Sequence, residues 1–140
     1  MGPVIVRSSG GFRNDIEVAG KYHLIADEPL EAGGTDLGPT PYDLMSAALG
    51  TCTSMTLQFL AKRDGIPLTG IEVQVSNDRM YAKDCADCLT TSGYIHRFVV
   101  KIRLEGDLTD AQRTKLLDAA RRCPVYKTLT AEIKIDESLA

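Results

Sequence analysis

Four cysteines, at positions 52, 85, 88 and 123, are the residues of this chain with the most chemistry to offer. Cys52 lies in Ala47-Ala48-Leu49-Gly50-Thr51-Cys52-Thr53-Ser54-Met55. At 3.6 residues per turn, Met45, Ala48, Leu49, Met55 and Phe59 share its helical face, so its thiol projects from an apolar side. A small core residue has that address too, because free cysteine is among the most buried residue types. Two to three turns into a helix the N-terminal dipole no longer stabilises a thiolate. A reactive Cys52 therefore needs another group to lower its pKa, and an arginine would suit best. Cys123 follows Arg121-Arg122, two cations that favour a thiolate and that would equally suit a solvated helix C-terminus. For Cys52 and Cys123 alike, a structural and a reactive reading stay open. The two thiols are 71 residues apart, so only the fold can bring them together.

Cys85-x-x-Cys88 is open to three readings: an incidental or structural pair, a local disulfide, or part of a metal site. Zinc requires four ligands, and only this pair is close in sequence, with His96 a distant third. A thioredoxin-like role would need the motif at a helix start in a βαβ setting, which is absent. His23, within a strand, reads as structural. Neither a GxGxxG nor a P-loop pattern occurs, and there is no Gly-x-Ser-x-Gly elbow, so no nucleotide cofactor or serine nucleophile is expected. No metal or other cofactor is assigned.

With 140 residues, 44% of them hydrophobic, the chain can form one ordinary domain, here residues 1–140. The net charge of −3, from 16 Lys+Arg and 19 Asp+Glu, argues against a nucleic-acid or anionic-membrane surface. Val4-Ile5-Val6 is too short for a signal-peptide core, and Val6 stands where a myristoylation signal wants Ser or Thr. Leu44 to Leu60 is interrupted by Ser46, Thr51, Thr53, Ser54, Thr56 and Gln58, short of the ~20 apolar residues that span a bilayer. A soluble, cytoplasmic protein is expected, in which cysteines are mostly reduced, metal-bound or catalytic.

The elements that must position these thiols follow an α+β order. Val4 to Arg7, Phe12 to Val18 and Tyr22 to Ile25 read as a meander separated by Gly10-Gly11 and Ala19-Gly20. A Gly/Pro-rich loop covers 28–39. Thr40 as N-cap, Pro41 at the first position and Asp43 in the first turn open a helix to about Arg63, stopped at Asp64-Gly65. Ile71 to Val75 alternates as a strand continuing through Met80-Tyr81, and residues 83–88 form a polar connection. Phe98 to Leu104 is a further strand. Thr109-x-x-Gln112 is a capping box for a helix with an apolar stripe of Leu116, Leu117 and Ala120. Pro124 interrupts it after Cys123, Val125 to Leu129 resumes as a short turn, and Ile133-Lys134-Ile135 is expected as a last strand.

Ala26-Asp27-Glu28-Pro29 with Gly33-Gly34, Gly38-Pro39-Thr40-Pro41-Tyr42-Asp43-Leu44, Ala47 to Thr53 around Cys52, and Arg122-Cys123-Pro124-Val125 together resemble the OsmC/Ohr family. Tyr81-Ala82-x-Asp84-Cys85-x-x-Cys88 resembles its OsmC-like branch. The resemblance implies an intertwined homodimer whose antiparallel sheets wrap two central helices, with active sites at the subunit interface. It implies a thiol peroxidase: Cys52 attacks an organic hydroperoxide, Cys123 closes a disulfide on the resulting sulfenic acid, and a dithiol reductant restores the pair. Arg13 resembles the arginine that holds the thiolate. The glutamate supporting that arginine is replaced at its position by Tyr42, with Asp43 the nearest carboxylate. Asp43 lies nine residues before Cys52, about 13 Å along the axis and on roughly the opposite side, so only a partner subunit could present it. The alternatives are a non-catalytic module binding a small apolar ligand, or a redox or metal sensor acting through Cys85 and Cys88.

Overall fold

A computed structural model describes residues 2–140. By their internal contacts they form two compact units, which divide between Met45 and Ser46. The first is a three-stranded antiparallel meander in the order β1-β2-β3, with β1 Val4–Arg7, β2 Asn14–Val18 and β3 Tyr22–Ala26. Val4 faces Val18, and Val18 faces Tyr22. The β2–β3 turn needs left-handed backbone at Ala19 (φ 53°) and Gly20 (φ 65°), where glycine adds no steric cost. Phe12 and Arg13 lie outside β2, which starts at Asn14.

The loop after β3 carries one 3₁₀ turn, Leu30–Ala32, and is organised around a buried carboxylate. Asp27, 1% exposed, accepts from the Thr35 hydroxyl and from the backbone amides of Glu28, Thr35 and Leu37. A buried charge is tolerated only with this kind of satisfaction. Gly34 completes the arrangement, since a Cβ there would overlap the Glu28 carbonyl.

Helix α1, Pro41–Asp64, opens at the end of the first unit and runs into the second. Thr40 and Asp43 cap it reciprocally: the Asp43 amide donates to Thr40 Oγ1 (3.1 Å), and the Thr40 amide donates to Asp43 Oδ2 (2.9 Å). At the other end Asp64 pairs with Arg63 and, at 2.7 Å, with Lys115 Nζ of helix α2, Asp110–Ala120. The second unit also contains the long antiparallel hairpin of β4 (Leu68–Tyr81) and β5 (Tyr94–Gly106), and the short helix α3 (Pro124–Leu129). Its core joins Leu57, Leu60 and Ala61 of α1, Ile66, and Leu116 and Ala119 of α2, packed on Leu68, Ile71, Ile102 and Leu104 of the hairpin. Complete burial of a leucine such as Leu57 or Leu116 contributes about 2 kcal/mol. Gly50 lets α1 approach the hairpin closely, because a Cβ there would stand 3.2 Å from Val75 Cγ2.

The α+β class, the antiparallel sheets and the expected capping box at Thr109 are present; both hydrogen bonds of that box form. Three expectations need correction. The buried stripe of α2 is Leu116 and Ala119, with Ala120 half-buried, whereas Leu117 is 60% exposed on the solvent side. Residues 131–140 form no strand: no neighbouring edge pairs with Ile133 to Ile135, and both isoleucines are exposed. Alternation alone makes no strand without a partner to take its backbone groups. Lastly, α1 does reach the length and mean hydropathy (1.2) of a membrane span, by composition alone. Its Leu57, Leu60 and Ala61 are instead spent on the core.

Candidate functional site: two thiols at the start of a short helix

Cys123 ends the turn after α2 and is the N-cap of α3, with Pro124 in the first helical position. Proline suits that position because its φ is already helical and the missing N–H has no intrahelical partner there. Cys123 is fully buried, and its Sγ accepts from the Tyr126 amide at 3.5 Å. Arg121 and Arg122, read from sequence as its thiolate-supporting cations, are exposed to solvent.

Cys52, half-buried on α1, is a neighbour of Cys123, near enough for each thiol to be felt by the other. Both are free thiols. Burial, followed by the contact with Cys123, pushes the Cys52 pKa above the ordinary thiol value. Two dipoles act the other way: the backbone amide of Val125 and the hydroxyl of Thr56, one turn along α1. The first turn of α3 thus directs the Val125 amide at one sulfur and the Tyr126 amide at the other. Neither Val125 nor Thr56 was recognised from sequence. The signal was present in Cys123-Pro124, an N-cap followed by proline at N1, which marks a helix start where an interruption had been read.

Two further candidates are held by other partners. Arg13 is exposed and pairs with Asp15 (3.3 Å), while the Asp43 carboxylate caps α1 through the Thr40 amide. The face of α1 that carries Cys52 differs from the expected buried one. Leu49 is buried, but Met45, Met55 and Phe59 are 39%, 66% and 68% exposed.

Cys85 and Cys88 form a disulfide in the connection between β4 and β5. Asp87 stands with them, and the three donor atoms lie within 4.8 Å of one another. His96, the third ligand considered from sequence, instead tilts against Phe98 at 5.3 Å. In the first unit, Ile16, Leu24, Ile25, Leu37 and Pro39 line an open groove of about 540 Å³, edged by Arg7, Asp15, Glu17 and His23.

An α+β fold with antiparallel sheets and a thiol pair between a long central helix and a short one defines the class. The chain belongs to the OsmC-like protein family, whose model matches residues 33–138. That span includes Asp43, Cys52 and Cys123 and leaves out Arg13. The fold is similar to that of an OsmC-like protein from Mycoplasma pneumoniae (TM-score 0.73, 15% identity, 92% of this chain and 86% of that one). It is also similar to an organic hydroperoxide resistance protein OsmC from Legionella pneumophila (TM-score 0.67, 20% identity, 93% and 90%). A third is the organic hydroperoxide resistance protein OhrB of Bacillus subtilis (TM-score 0.65, 22% identity, 93% and 90%). No curated protein sequence matches the chain.

Proposed function

We propose that the protein is a cytoplasmic, homodimeric thiol peroxidase that reduces organic hydroperoxides through Cys52 and Cys123. The observation that carries this is the meeting of two free thiols, distant in sequence, with the Val125 amide directed at Cys52. The Cys52 thiolate attacks the outer peroxide oxygen. An S–O bond forms, the O–O bond breaks, and the alkoxide leaves as the alcohol after taking a proton. The Cys52 sulfenic acid then receives the Cys123 sulfur, an S–S bond forms and water departs. A dithiol reductant returns both thiols by exchange and is itself oxidised to a disulfide. The apolar side chains on the Cys52 face, Met45, Met55 and Phe59, suit an organic peroxide better than hydrogen peroxide.

Arg13 and Asp43 complete the proposal as the thiolate-holding cation and its positioning carboxylate, each exchanging its present partner, Asp15 or Thr40, in the working dimer. Asp43→Asn separates the two duties of that carboxylate, because an asparagine still accepts from the Thr40 amide but carries no charge.

Consumption of cumene hydroperoxide with dithiothreitol tests the reading. Wild type is expected to consume it rapidly, Cys52→Ser at the uncatalysed rate, and Cys123→Ser should accumulate a dimedone-reactive sulfenic acid. Equal rates for wild type and Cys52→Ser would show that the thiols are passive. Asp43→Asn should slow turnover about tenfold or more while the melting temperature falls by at most a few degrees, the loss expected of one helix-dipole charge.

A further inference from the structure

The Cys85–Cys88 disulfide plays no part in the chemistry proposed for Cys52 and Cys123. It sits in a segment with a firm base and a polar tip. The Ala82 amide donates to the Gly93 carbonyl (2.8 Å), and the Tyr81 and Tyr94 rings stack at 4.6 Å across the neck. Ala82 is buried. Beyond the neck, the 3₁₀ turn Ala82–Asp84 leads into Cys85, whose amide donates back to the Ala82 carbonyl at 3.1 Å. Cys85 and Cys88 are half-buried, and Ala86 and Asp87 between them are exposed. The Asp87 Oδ1 lies 3.3 Å from Cys85 Sγ.

Lys83 is turned onto the Tyr81 ring and Arg79 onto the Tyr94 ring, each 5.3 Å from the ring centre, and exposed Asp84 adds a further negative charge. Two sulfurs and one carboxylate oxygen lie within 4.8 Å of one another, three potential ligands once the S–S bond is broken. Bonds of about 2.3 Å at the tetrahedral angle place two metal-bound sulfurs about 3.8 Å apart. The Cα atoms, 5.5 Å apart, allow this by side-chain rotation.

We propose that Cys85, Asp87 and Cys88 form a redox-gated site for a thiophilic divalent cation of the zinc type, closed as the disulfide and open as the dithiol. A dithiol reductant opens it: the S–S bond breaks, two thiols form and the reductant becomes a disulfide. Cation binding then displaces a proton from each thiol, two per ion. An organic hydroperoxide, the substrate class proposed above, re-closes it: it takes two electrons from the bound thiolates and two protons from solvent, leaves as alcohol and water, and the S–S bond re-forms as the ion is released.

Cobalt(II) is the probe, because its thiolate complexes absorb in the near ultraviolet where free thiols do not. The full chain is reduced with a phosphine, which is then removed without oxygen, and cobalt is titrated in. A thiolate-to-cobalt band saturating at one ion per chain is expected. It should vanish in Cys85→Ser and Cys88→Ser, persist in the Cys52→Ser, Cys123→Ser double variant, and bleach on ferricyanide oxidation. Asp87→Ala should weaken binding by at least about tenfold. The proposal is overturned by reduced protein that shows no band, or by a band that survives both Cys85→Ser and Cys88→Ser. A band indifferent to oxidation would overturn the gating.

Discussion

The Cys52 sulfur is subject to opposing influences, and their balance sets how it can react. Burial favours the neutral thiol, and the Cys123 thiol beside it acts in the same direction. The Val125 amide and Thr56 hydroxyl stabilise the anion. Cys123 would serve as the resolving thiol once a sulfenic acid exists, yet until then it raises the proton affinity of its partner. Replacing Cys123 by alanine removes both of its effects and leaves the amide and hydroxyl in place. The Cys52 pKa in Cys123→Ala should therefore be lower than in wild type, read as the pH dependence of iodoacetamide alkylation at Cys52. A higher or unchanged value would mean that the two thiols do not interact in solution. The cysteines themselves were legible in the sequence as residue types in characteristic surroundings. Their approach was not, because 71 residues separate them. The supporting amide was not legible either, since a backbone N–H has no residue type to mark it.

Among the elements, α1 and α2 were legible from their caps. Thr40 with Pro41, and Thr109 with Gln112, are local signals whose hydrogen bonds form within one turn. Of the long hairpin, β4 was legible from Ile71 through Tyr81, whereas β5 was legible only as Phe98 to Leu104 of its full Tyr94–Gly106. The start of β5 carries the polar residues His96 and Arg97, which pair with Arg79 and Asp78 across the ladder despite the weak pattern. Ile133 to Ile135 failed in the opposite way, having the alternation without an edge to join. The 28–39 loop was read only as Gly/Pro-rich, although Asp27, just before it, organises it. The Thr35 hydroxyl is the largest influence, and three amides add to it, holding the Asp27 carboxyl down from 3.8 to about 2. Because the folded state prefers the carboxylate, this stabilisation is complete above the unfolded value of 3.8. It diminishes as pH falls from there and is lost below about 2. Asp27→Asn, whose amide group cannot accept from all four donors, should lower the urea midpoint at neutral pH. Its midpoint should also fall less steeply than that of wild type between pH 4 and 2. Parallel curves for the two proteins would place the acid sensitivity elsewhere.

For the whole molecule, the exposed apolar surface bears on assembly. Burying Met45, Met55 and Phe59 would not help the core of the second unit, because Leu57, Leu60 and Ala61 already fill it from the other side of α1. The same helix therefore has two apolar sides, one used within the chain and one uncovered around Cys52. A helix that is apolar on both sides is stable in water when each side is covered. A second copy of the chain supplies the cover in the proposed homodimer, and with it a route for Arg13 and Asp43 of one subunit to serve the thiol of the other. Light scattering on the reduced protein should give a mass twice the 15.2 kDa of the chain at micromolar concentration. Met55→Asp with Phe59→Asp, which puts two charges into that face and leaves the core contacts of α1 untouched, should yield monomers whose circular dichroism still shows the helices. If the doubly substituted protein stays dimeric, the copies meet elsewhere, and the Cys52 face is open to substrate within each chain.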